Sequence, residues 1–248
     1  VRIMAYTNID DPSAYFQAFT YTGNQSSRDI TLDGNSDLQP DLYWYKARNS
    51  NHHYWVDSSR GTTKYIYSSL NNAEATVASA YVTSFNTNGF NVGGGDSGTN
   101  TGGISFANWA WKANGGTTAS NTDGNITSIV QSNVTAGFSI ATYTGNGIDN
   151  RTIGHGLGVQ PSWWIVKRRN GAANWFIGAS SILGGTSNYL LLNSTAANAE
   201  INNIWGDSPT SSTLFRVSNN AGLNASGGTY VAYLFANKQG YSKFGKYV

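Results

Sequence analysis

The chain has 248 residues, enough for one large domain or two ordinary ones. Only 11% of the residues are charged and the formal net charge is +2, so we expect no nucleic-acid partner. The absence of cysteine excludes disulfides and thiolate metal ligands. No apolar run approaches the roughly 18 residues of a membrane span, so no membrane insertion is expected.

An internal repeat organises the sequence. TYTGN at Thr20–Asn24 recurs at Thr142–Asn146, and LQPDLYWYKAR at Leu38–Arg48 recurs as VQPSWWIVKRR at Val159–Arg169. Such landmarks keep the same order across about 100 residues, which is the signature of a duplicated domain.

The repeat predicts five segments in chain order. A turn-rich stretch with an alternating run, NITSIVQSNV, joins the two copies and is predicted to be a strand. The last residues, GYSKFGKYV, resemble the opening strand of a repeat. The segments are an N-terminal extension (1–17), a first β-repeat (18–116), a connector strand (117–136), a second β-repeat (137–240) and a terminal strand resembling the start of a third repeat (241–248).

The pattern of side chains predicts an all-β protein. Bulky residues occupy alternate positions in runs such as DLYWYKARN and TYVAYLFAN, and Asn-Gly, Gly-Gly and Asp-Gly pairs separate these runs. Only Asn71–Ala80 and the equivalent stretch 194–205 have a helical pattern, of a turn or two each. We therefore expect two tandem homologous β-sandwich or jelly-roll-like units with short helical turns.

Basic residues close the matched strands of both repeats, at Lys46, Arg48, Lys167 and Arg169. The simpler interpretation is that their stems pack on the sheet while the charges reach water. The alternative is a paired basic surface that contacts an anionic glycan or a partner subunit.

Histidines and aspartates give little support to a metal site. His52 and His53 are adjacent, and neighbouring strand residues point to opposite faces, so the pair is not expected to chelate one ion. His155 stands alone in a glycine-rich loop. Asp10–Asp11 and Asp96 lack the alternating oxygen spacing of a calcium loop. We predict no metal.

The sequence also favours no catalytic chemistry. Its two glutamates, Glu74 and Glu200, occupy matching places in the two repeats, where helix starts explain them better than paired acid–base work. No Gly-x-Ser-x-Gly elbow and no dinucleotide fingerprint occurs. We expect no enzyme and no cofactor.

Tryptophans are the remaining candidates for a binding surface. Six of the eight align with bulky residues of the other repeat, as core positions do; Trp109 and its counterpart Tyr233 are examples. Trp205, in a turn-like stretch, and Trp163, before a core run, have no such partner and can serve as sugar-stacking platforms. The candidate residues for glycan or partner contact are Trp205, Trp163, His52, His53 and Arg169.

Several long motifs, among them HGLGVQPSWWIVKRRN, YLLLNSTAANA and GTYVAYLFANKQGYSKFGKY, carry a resemblance to a known family. They look like a domain repeated in structural proteins of marine tailed bacteriophages, over nearly the whole chain. The resemblance implies a fibre-like, decoration or tail-associated virion protein, and it supplies no catalytic or binding residue.

The expected function is therefore a non-enzymatic structural component of a phage particle. The expected partners are copies of the chain itself, with a trimer suggested by fibre analogy, other virion proteins and a host cell-surface glycan. The resemblance implies assembly in the host cytoplasm and exposure on the outside of the virion. A glycan-binding adhesion module is the alternative, and a polysaccharide depolymerase is the least supported possibility.

Overall fold

The computed structural model describes residues 7–49, 52–77, 81–95 and 98–247. Nearly all of its regular structure is β-strand, which confirms the all-β prediction. The chain folds into two compact units. The first unit is Asp11–Thr117, and the second is Thr118–Val248 together with Val1–Asp10.

The first unit contains a large and a small antiparallel sheet. The large sheet has the strand order β1-β9-β3-β4-β5-β6, and the small sheet has the order β2-β8-β7. The strands are β1 (Phe16–Thr22), β2 (Arg28–Ile30), β3 (Leu42–Ala47), β4 (His53–Asp57), β5 (Lys64–Tyr67), β6 (Ala75–Thr76), β7 (Val82–Asn86), β8 (Gly89–Val92) and β9 (Ser105–Trp111).

The second unit has an eight-stranded sheet, β10-β11-β12-β19-β14-β15-β16-β17, and a two-stranded sheet, β13-β18. Its strands are β10 (Ala119–Asn121), β11 (Ser128–Asn133), β12 (Phe138–Thr144), β13 (Arg151–Gly154), β14 (Trp163–Arg168), β15 (Phe176–Gly178), β16 (Asn188–Leu191), β17 (Ala199–Glu200), β18 (Leu214–Val217) and β19 (Thr229–Phe235). Two single-turn helices, α1 (Ser180–Leu183) and α2 (Ala221–Asn224), lie in loops.

The two large sheets have the same strand order. When β1, β9, β3, β4, β5 and β6 are matched with β12, β19, β14, β15, β16 and β17, every neighbour relation is preserved. The pairs β2-β8 and β13-β18 correspond in the small sheets. The second unit has two added strands, since β11 pairs with β12 and β10 pairs with β11, and among the described residues its small sheet has no counterpart of β7.

The core of each unit follows from the alternation of its strands. In β9 the buried and half-buried residues alternate without exception, and Tyr43 and Tyr45 of β3 are fully buried on the side that packs with Phe90. In the second unit Trp164, Tyr230 and Phe215 belong to the equivalent cluster. Burial of these aromatic rings supplies most of the driving force for each unit, because hydrophobic stabilisation scales with the apolar area removed from water.

The repeated pentapeptide has the same structural role in both units. The backbone N–H of Asn24 donates to the side-chain oxygen of Asn100 at 3.0 Å, and that of Asn146 donates to Asn224 at 2.9 Å. Both acceptor asparagines are fully buried. Each also donates its side-chain amide to nearby backbone carbonyls, so a single asparagine fastens the turn after the first repeat strand.

The tyrosine of the pentapeptide also makes the same hydrogen bond in both units. The hydroxyl of Tyr21 donates to the carbonyl oxygen of Thr99 at 2.6 Å, and that of Tyr143 donates to Leu223 at 2.8 Å. Burial raises the pKa of Tyr21 and of Tyr143 above the usual value, so both hydroxyls remain donors.

The ends of the predicted segments fall differently in the structure. Residues 7–10 of the predicted extension belong to the second unit, and β1 already begins at Phe16. The connector 117–136 contains β10 and β11 rather than one strand. Residues 241–247 form no extended strand, because the N–H groups of Tyr241 and Ser242 turn back to the carbonyl oxygen of Lys238.

The two predicted helical stretches are wrong where the structure describes them. Ala75–Thr76 and Ala199–Glu200 are short strands, paired with β5 and β16. Both stretches are rich in Ala, Asn and Glu, and the pairing with an existing sheet edge overrides their local preference. Residues 78–80 lie outside the described part of the chain.

Candidate functional site

The structure places Trp205 in the core and not on the surface. Its side chain is 1% exposed, its ring meets Trp164 edge-on at 5.3 Å, and its Nε1 donates to the carbonyl oxygen of Asn188 at 3.0 Å. The absence of an aromatic counterpart in the first repeat therefore did not indicate exposure. Trp205 fills a space particular to the second unit, and the expectation of a sugar platform at this residue is corrected.

Trp163 and Arg169 lie at opposite ends of one strand. Trp163 begins β14 and stacks on Phe244 with 6.2 Å between ring centroids, so one ring face is covered within the chain. Arg169 follows the end of β14, and its backbone N–H donates to Thr229. Six residue steps of strand separate the two by roughly 20 Å. The structure does not bring them together at one site.

The histidine pair lies at the start of β4. The exposed His52 packs edge-on against Tyr67, and His53 is half-buried opposite Lys46. Burial, with Lys46 and His52 nearby, lowers the pKa of His53. Among the described residues, no group of three or more His, Asp or Glu side chains has a metal-binding arrangement. Asp96 lies outside the described residues.

His155 is buried and links two loops through backbone hydrogen bonds. It is fully buried; its Nδ1 accepts from the N–H of Leu157 at 3.2 Å, and its Nε2 lies 3.3 Å from the carbonyl oxygen of Ser211. Burial lowers the pKa of His155 to about 4, so the ring is neutral at pH 7 and carries its hydrogen on Nε2. Both ring nitrogens therefore serve the backbone.

The acidic side chains of the first unit fasten loops. Arg60 is ion-paired with Asp57 and with Glu74, whose Oε2 accepts from Nη1 at 2.9 Å. Glu74 therefore belongs to an ion pair and not to a helix start. Asp41 is fully buried and accepts hydrogen bonds from Ser58 and from the backbone N–H groups of the loop 113–116. In the second repeat Ser162 takes its position and accepts from the N–H of Asn237.

One basic strand end departs from the expectation that the charges reach water. Lys167 is fully buried and donates to the carbonyl oxygen of Arg168 at 2.9 Å, as Lys46 does to that of Ala47 at 2.7 Å. Burial, followed by the charge of Arg168, lowers the pKa of Lys167 to about 8. This lysine is consequently not part of an exposed basic surface.

The feature that the sequence did not reveal is the open edge of the first unit, formed by β1. In the part of the chain that the structure describes, β1 pairs only with β9, whereas its counterpart β12 lies between β11 and β19. The chain enters β1 through a 3-10 turn at Pro12–Ala14, where Asp11 caps the N–H of Ser13 at 2.9 Å. This turn takes the place of the hairpin that precedes β12.

The backbone groups on the open side can be assigned from those on the paired side. Toward β9, the carbonyl oxygen of Tyr15 accepts from Lys112 and the N–H of Gly23 donates to Ile104. Since the direction of N–H and C=O groups alternates along a strand, the even-numbered residues face the open edge. These residues are Phe16, Ala18, Thr20 and Thr22.

A groove of about 810 Å³ runs between β1 and β2. The half-buried rings of Phe19 and Tyr21 form part of its wall, together with Asn108 and the charged Arg28 and Asp33. In the second unit the equivalent space is filled, because Ile126 and Val130 from the β10–β11 segment join the core. The groove is thus the place that an added strand occupies in the other repeat.

Five other edge strands among the described residues have features that discourage pairing. Strands β6 and β17 have two residues, β10 has three, and β2 carries Arg28 and Asp29. Strand β7 has an irregular register between Val82 and Ser84. Short strands, charges and bulges all protect sheet edges. By contrast, β1 is seven residues long, regular, and free of charge and proline.

Comparison with known proteins identifies a family without assigning an activity. Residues 11–248 match the family model described as a domain of unknown function, DUF7483. No curated protein and no solved structure gives a significant match to the chain. Within the described residues, no helix is long and apolar enough to cross a membrane.

Proposed function

Because the chain belongs to the DUF7483 family, a domain of unknown function, we propose a function from its own residues: it is a non-enzymatic structural subunit of a bacteriophage particle. The subunit acts as a fibre, decoration or tail-associated component. The motifs that resemble phage structural proteins support a place in a phage particle, and the open edge of β1 supports a role in assembly.

The proposed subunit consists of two tandem homologous β-sandwich-like units. Two observations support a common origin: the matched strand orders, and the buried Asn100 and Asn224 that hold the same turn. A scaffold built by duplication presents two similar bodies in one chain, which suits a protein whose task is mechanical.

The single observation that carries the assembly role is the unprotected edge strand. A regular, uncharged strand of seven residues with an open side is a template for another strand, and β1 is such a strand. The proposed partners are copies of the chain, as a trimer or another closed assembly, and other virion proteins. The proposed location is the outside of the virion, after assembly in the host cytoplasm.

The non-enzymatic part of the proposal is supported by the use of the polar side chains. Glu74 and Asp57 are engaged by Arg60, Asp41 fastens a loop, and His155 serves two backbone groups. These three carboxylates and this imidazole are thus engaged in the folding of their own unit. A polysaccharide depolymerase would need a carboxylate pair that remains available in a cleft.

Glycan binding is the second candidate function. The groove beside β1 is a better candidate site for a glycan than the tryptophans predicted from the sequence. Its wall combines the aromatic Phe19 and Tyr21 with the polar Asn108 and Asp33, a mixture that suits a sugar. Binding of the purified chain to a glycan array, lost in a Tyr21→Ala variant that still folds, would favour this function over assembly.

The proposed function is tested on particles. We expect mass spectrometry of particles purified from a lysate of infected host cells to find this chain at a fixed ratio to the major capsid protein. Labelling with an antibody to the chain is expected to decorate a regular position on each particle. Purified particles that lack the chain, with the chain recovered only as free protein, would overturn the proposal.

A further inference from the structure

We propose that β1 joins two copies of this chain by pairing antiparallel with the β1 of the second copy, about a two-fold axis that passes beside Phe19. The pairing extends the six-stranded sheet of each first unit into one continuous sheet. It deepens the proposed assembly role and rests on it, because it names the strand, the partner and the register.

The open backbone groups of β1 fix which registers are possible. An antiparallel pair is closed by hydrogen bonds only where residues that face the open edge meet one another. With Phe19 opposite Phe19, Ala18 lies opposite Thr20 and Phe16 lies opposite Thr22, so all four outward-facing residues meet each other. The two Ala18–Thr20 pairs can each exchange two backbone hydrogen bonds, whereas in the Phe16–Thr22 pairs the carbonyl oxygen of Thr22 already accepts from Arg28.

The side chains of β1 favour a second copy over an unrelated strand. An antiparallel pair of identical strands places each residue close to its own copy near the axis, so a charged residue there would be repelled. Strand β1 carries no charge, and the residues beside Phe19 on the exposed face are the small Ala18 and Thr20. The half-buried Phe19 rings gain an apolar neighbour, since facing side chains approach most closely at pairs without hydrogen bonds.

The charges of the groove favour the antiparallel orientation. Arg28 lies at the Thr22 end of β1, where its guanidinium donates to the carbonyl oxygen of Thr22. Asp33 lies toward the other end, next to Gly34, whose N–H donates to Gln17 at 3.0 Å. A two-fold axis beside Phe19 brings Arg28 of one copy toward Asp33 of the other, and the same pairing occurs twice.

The Nε of Arg28 is buried and has no hydrogen-bond partner among the described residues. The same holds for the Nε of Arg151, which begins β13 as Arg28 begins β2, so this feature is common to both units. In the proposed pairing, the carboxylate of Asp33 from the second copy can accept from the guanidinium of Arg28.

The second unit provides the internal precedent. There β11 lies antiparallel on β12 over six residues, and Val130 of β11 reaches the core. Strand β12 is the repeat counterpart of β1, so the first unit has the same geometry without the covering strand. A strand from a second copy occupies the position that β11 occupies in the second unit.

The register is tested by disulfide crosslinking. The chain has no cysteine, so no native thiol competes with the introduced ones. Phe19→Cys places two thiols at a symmetric pair whose Cα atoms lie about 4.5 Å apart, within reach of a disulfide. Thr22→Cys is the matched control, since the proposed register separates its two copies by roughly 20 Å. Under mild oxidation we expect Phe19→Cys to form a covalent dimer and Thr22→Cys to remain largely uncrosslinked.

A second variant pair covers the case in which loss of the Phe19 ring impairs folding. Ala18→Cys chains mixed with tagged Thr20→Cys chains are expected to give the mixed disulfide in preference to either self-disulfide. Equal crosslinking of all combinations, or of Thr22→Cys as readily as Phe19→Cys, would overturn the register.

The association itself is tested by mass measurement. We expect light scattering of the full chain to show twice the single-chain mass of 26.6 kDa, and Thr20→Lys to reduce it to the single-chain mass, because a lysine disfavours edge pairing. Ser120→Lys, on the exposed edge strand β10, is the control and should leave the mass unchanged. A single-chain mass for the unaltered protein up to high micromolar concentration, or a Thr20→Lys variant that stays associated, contradicts the inference.

The two proposals fail in different ways. If the chain is found in particles but neither crosslinks nor associates through β1, only the pairing is wrong. If Phe19→Cys crosslinks as expected but particles lack the chain, the pairing stands and the phage role is wrong.

Discussion

The large sheets of the two units share one strand order, and they differ in what lies beside the first repeat strand. In the second unit β12 is flanked on both sides, and Tyr143 within it is 5% exposed. In the first unit β1 is flanked on one side, and the equivalent Tyr21 is only half-buried. The two units therefore share the strand order of the large sheet and the buried asparagines that hold its turn, while among the described residues a hairpin covers the first repeat strand in the second unit only. The difference teaches that a repeated fold can carry two edges of opposite character in one chain.

The largest expected effect tests whether matched positions are equally buried. Tyr233→Ala should lower the free energy of unfolding by about 3 to 5 kcal/mol, because this ring is fully buried in β19. Its repeat partner Trp109 lies half-buried in β9 beside the groove, so Trp109→Ala should cost less, about 1 to 2 kcal/mol. Urea unfolding followed by circular dichroism measures both. Equal losses would mean that the open edge does not change the environment of β9.

A matched pair of proline variants tests the open edge directly. Thr142 of β12 lies opposite Ile129 of β11, and its N–H faces that strand, so Thr142→Pro should cost about 3 kcal/mol. Thr20 occupies the same place in β1, but its N–H faces the open side. Thr20→Pro should therefore cost about 1 kcal/mol or less, since proline is tolerated at strand edges.

The proline comparison is made at a concentration at which the chain is a single copy, so that lost pairing does not add to the result. Thermal unfolding of both variants against the unaltered chain gives the difference. If Thr20→Pro proves as damaging as Thr142→Pro, then the N–H of Thr20 is bonded and β1 is not an open edge.

The buried asparagines should behave alike, because they are shared by both units. Asn100→Ala and Asn224→Ala each leave the N–H of Asn24 or Asn146 and at least one backbone carbonyl without its partner, which should cost about 1 to 3 kcal/mol in either unit. Asn35, which is exposed, provides the control, and Asn35→Ala should change stability by less than about 0.5 kcal/mol. Denaturant unfolding measures all three, and unequal losses at the two buried asparagines would show that the repeats do not depend on them equally.

The sequence predicted what the repeats share better than what distinguishes them. Alternation and turn residues predict the strands, and the recurrence of TYTGN marks a turn that needs glycine: a Cβ at Gly23 would lie 2.1 Å from the carbonyl oxygen of Thr101. The open edge was missed because it depends on which segment lies beside β1, a tertiary relation that no local pattern records. The one available signal was the Asp11-Pro12 turn, where the second repeat has an alternating strand.

The burial of Trp205 was missed for a related reason. Its neighbours Gly206 and Asp207 have the composition of an exposed turn, and local composition favours a surface position. The ring instead packs against Trp164 in the core of the second unit. Comparison of two copies identifies shared core positions, but an unshared aromatic residue can be either core or surface.

The smallest expected effect concerns a pH dependence confined to the second unit. After β13 the second unit has His155, whereas the first unit has the buried Leu32 at the same place after β2. Burial lowers the pKa of His155 to about 4, below the usual value of 6.5. Between these values the unfolded chain binds a proton that the folded chain does not. The stability that the neutral ring contributes is therefore present above pH 6.5 and is lost as the pH falls toward 4.

His155→Leu gives the second unit the residue type of the first and should remove this part of the pH dependence. We expect the unaltered chain to lose about 2 kcal/mol more than the variant when urea unfolding at pH 7 is compared with unfolding at pH 4.5. The variant starts from a lower stability at pH 7, because the N–H of Leu157 and the carbonyl oxygen of Ser211 lose their partner. If His155→Leu and the unaltered chain lose the same free energy of unfolding between the two pH values, folding does not lower the pKa of His155, and this residue does not give the second unit a pH dependence of its own.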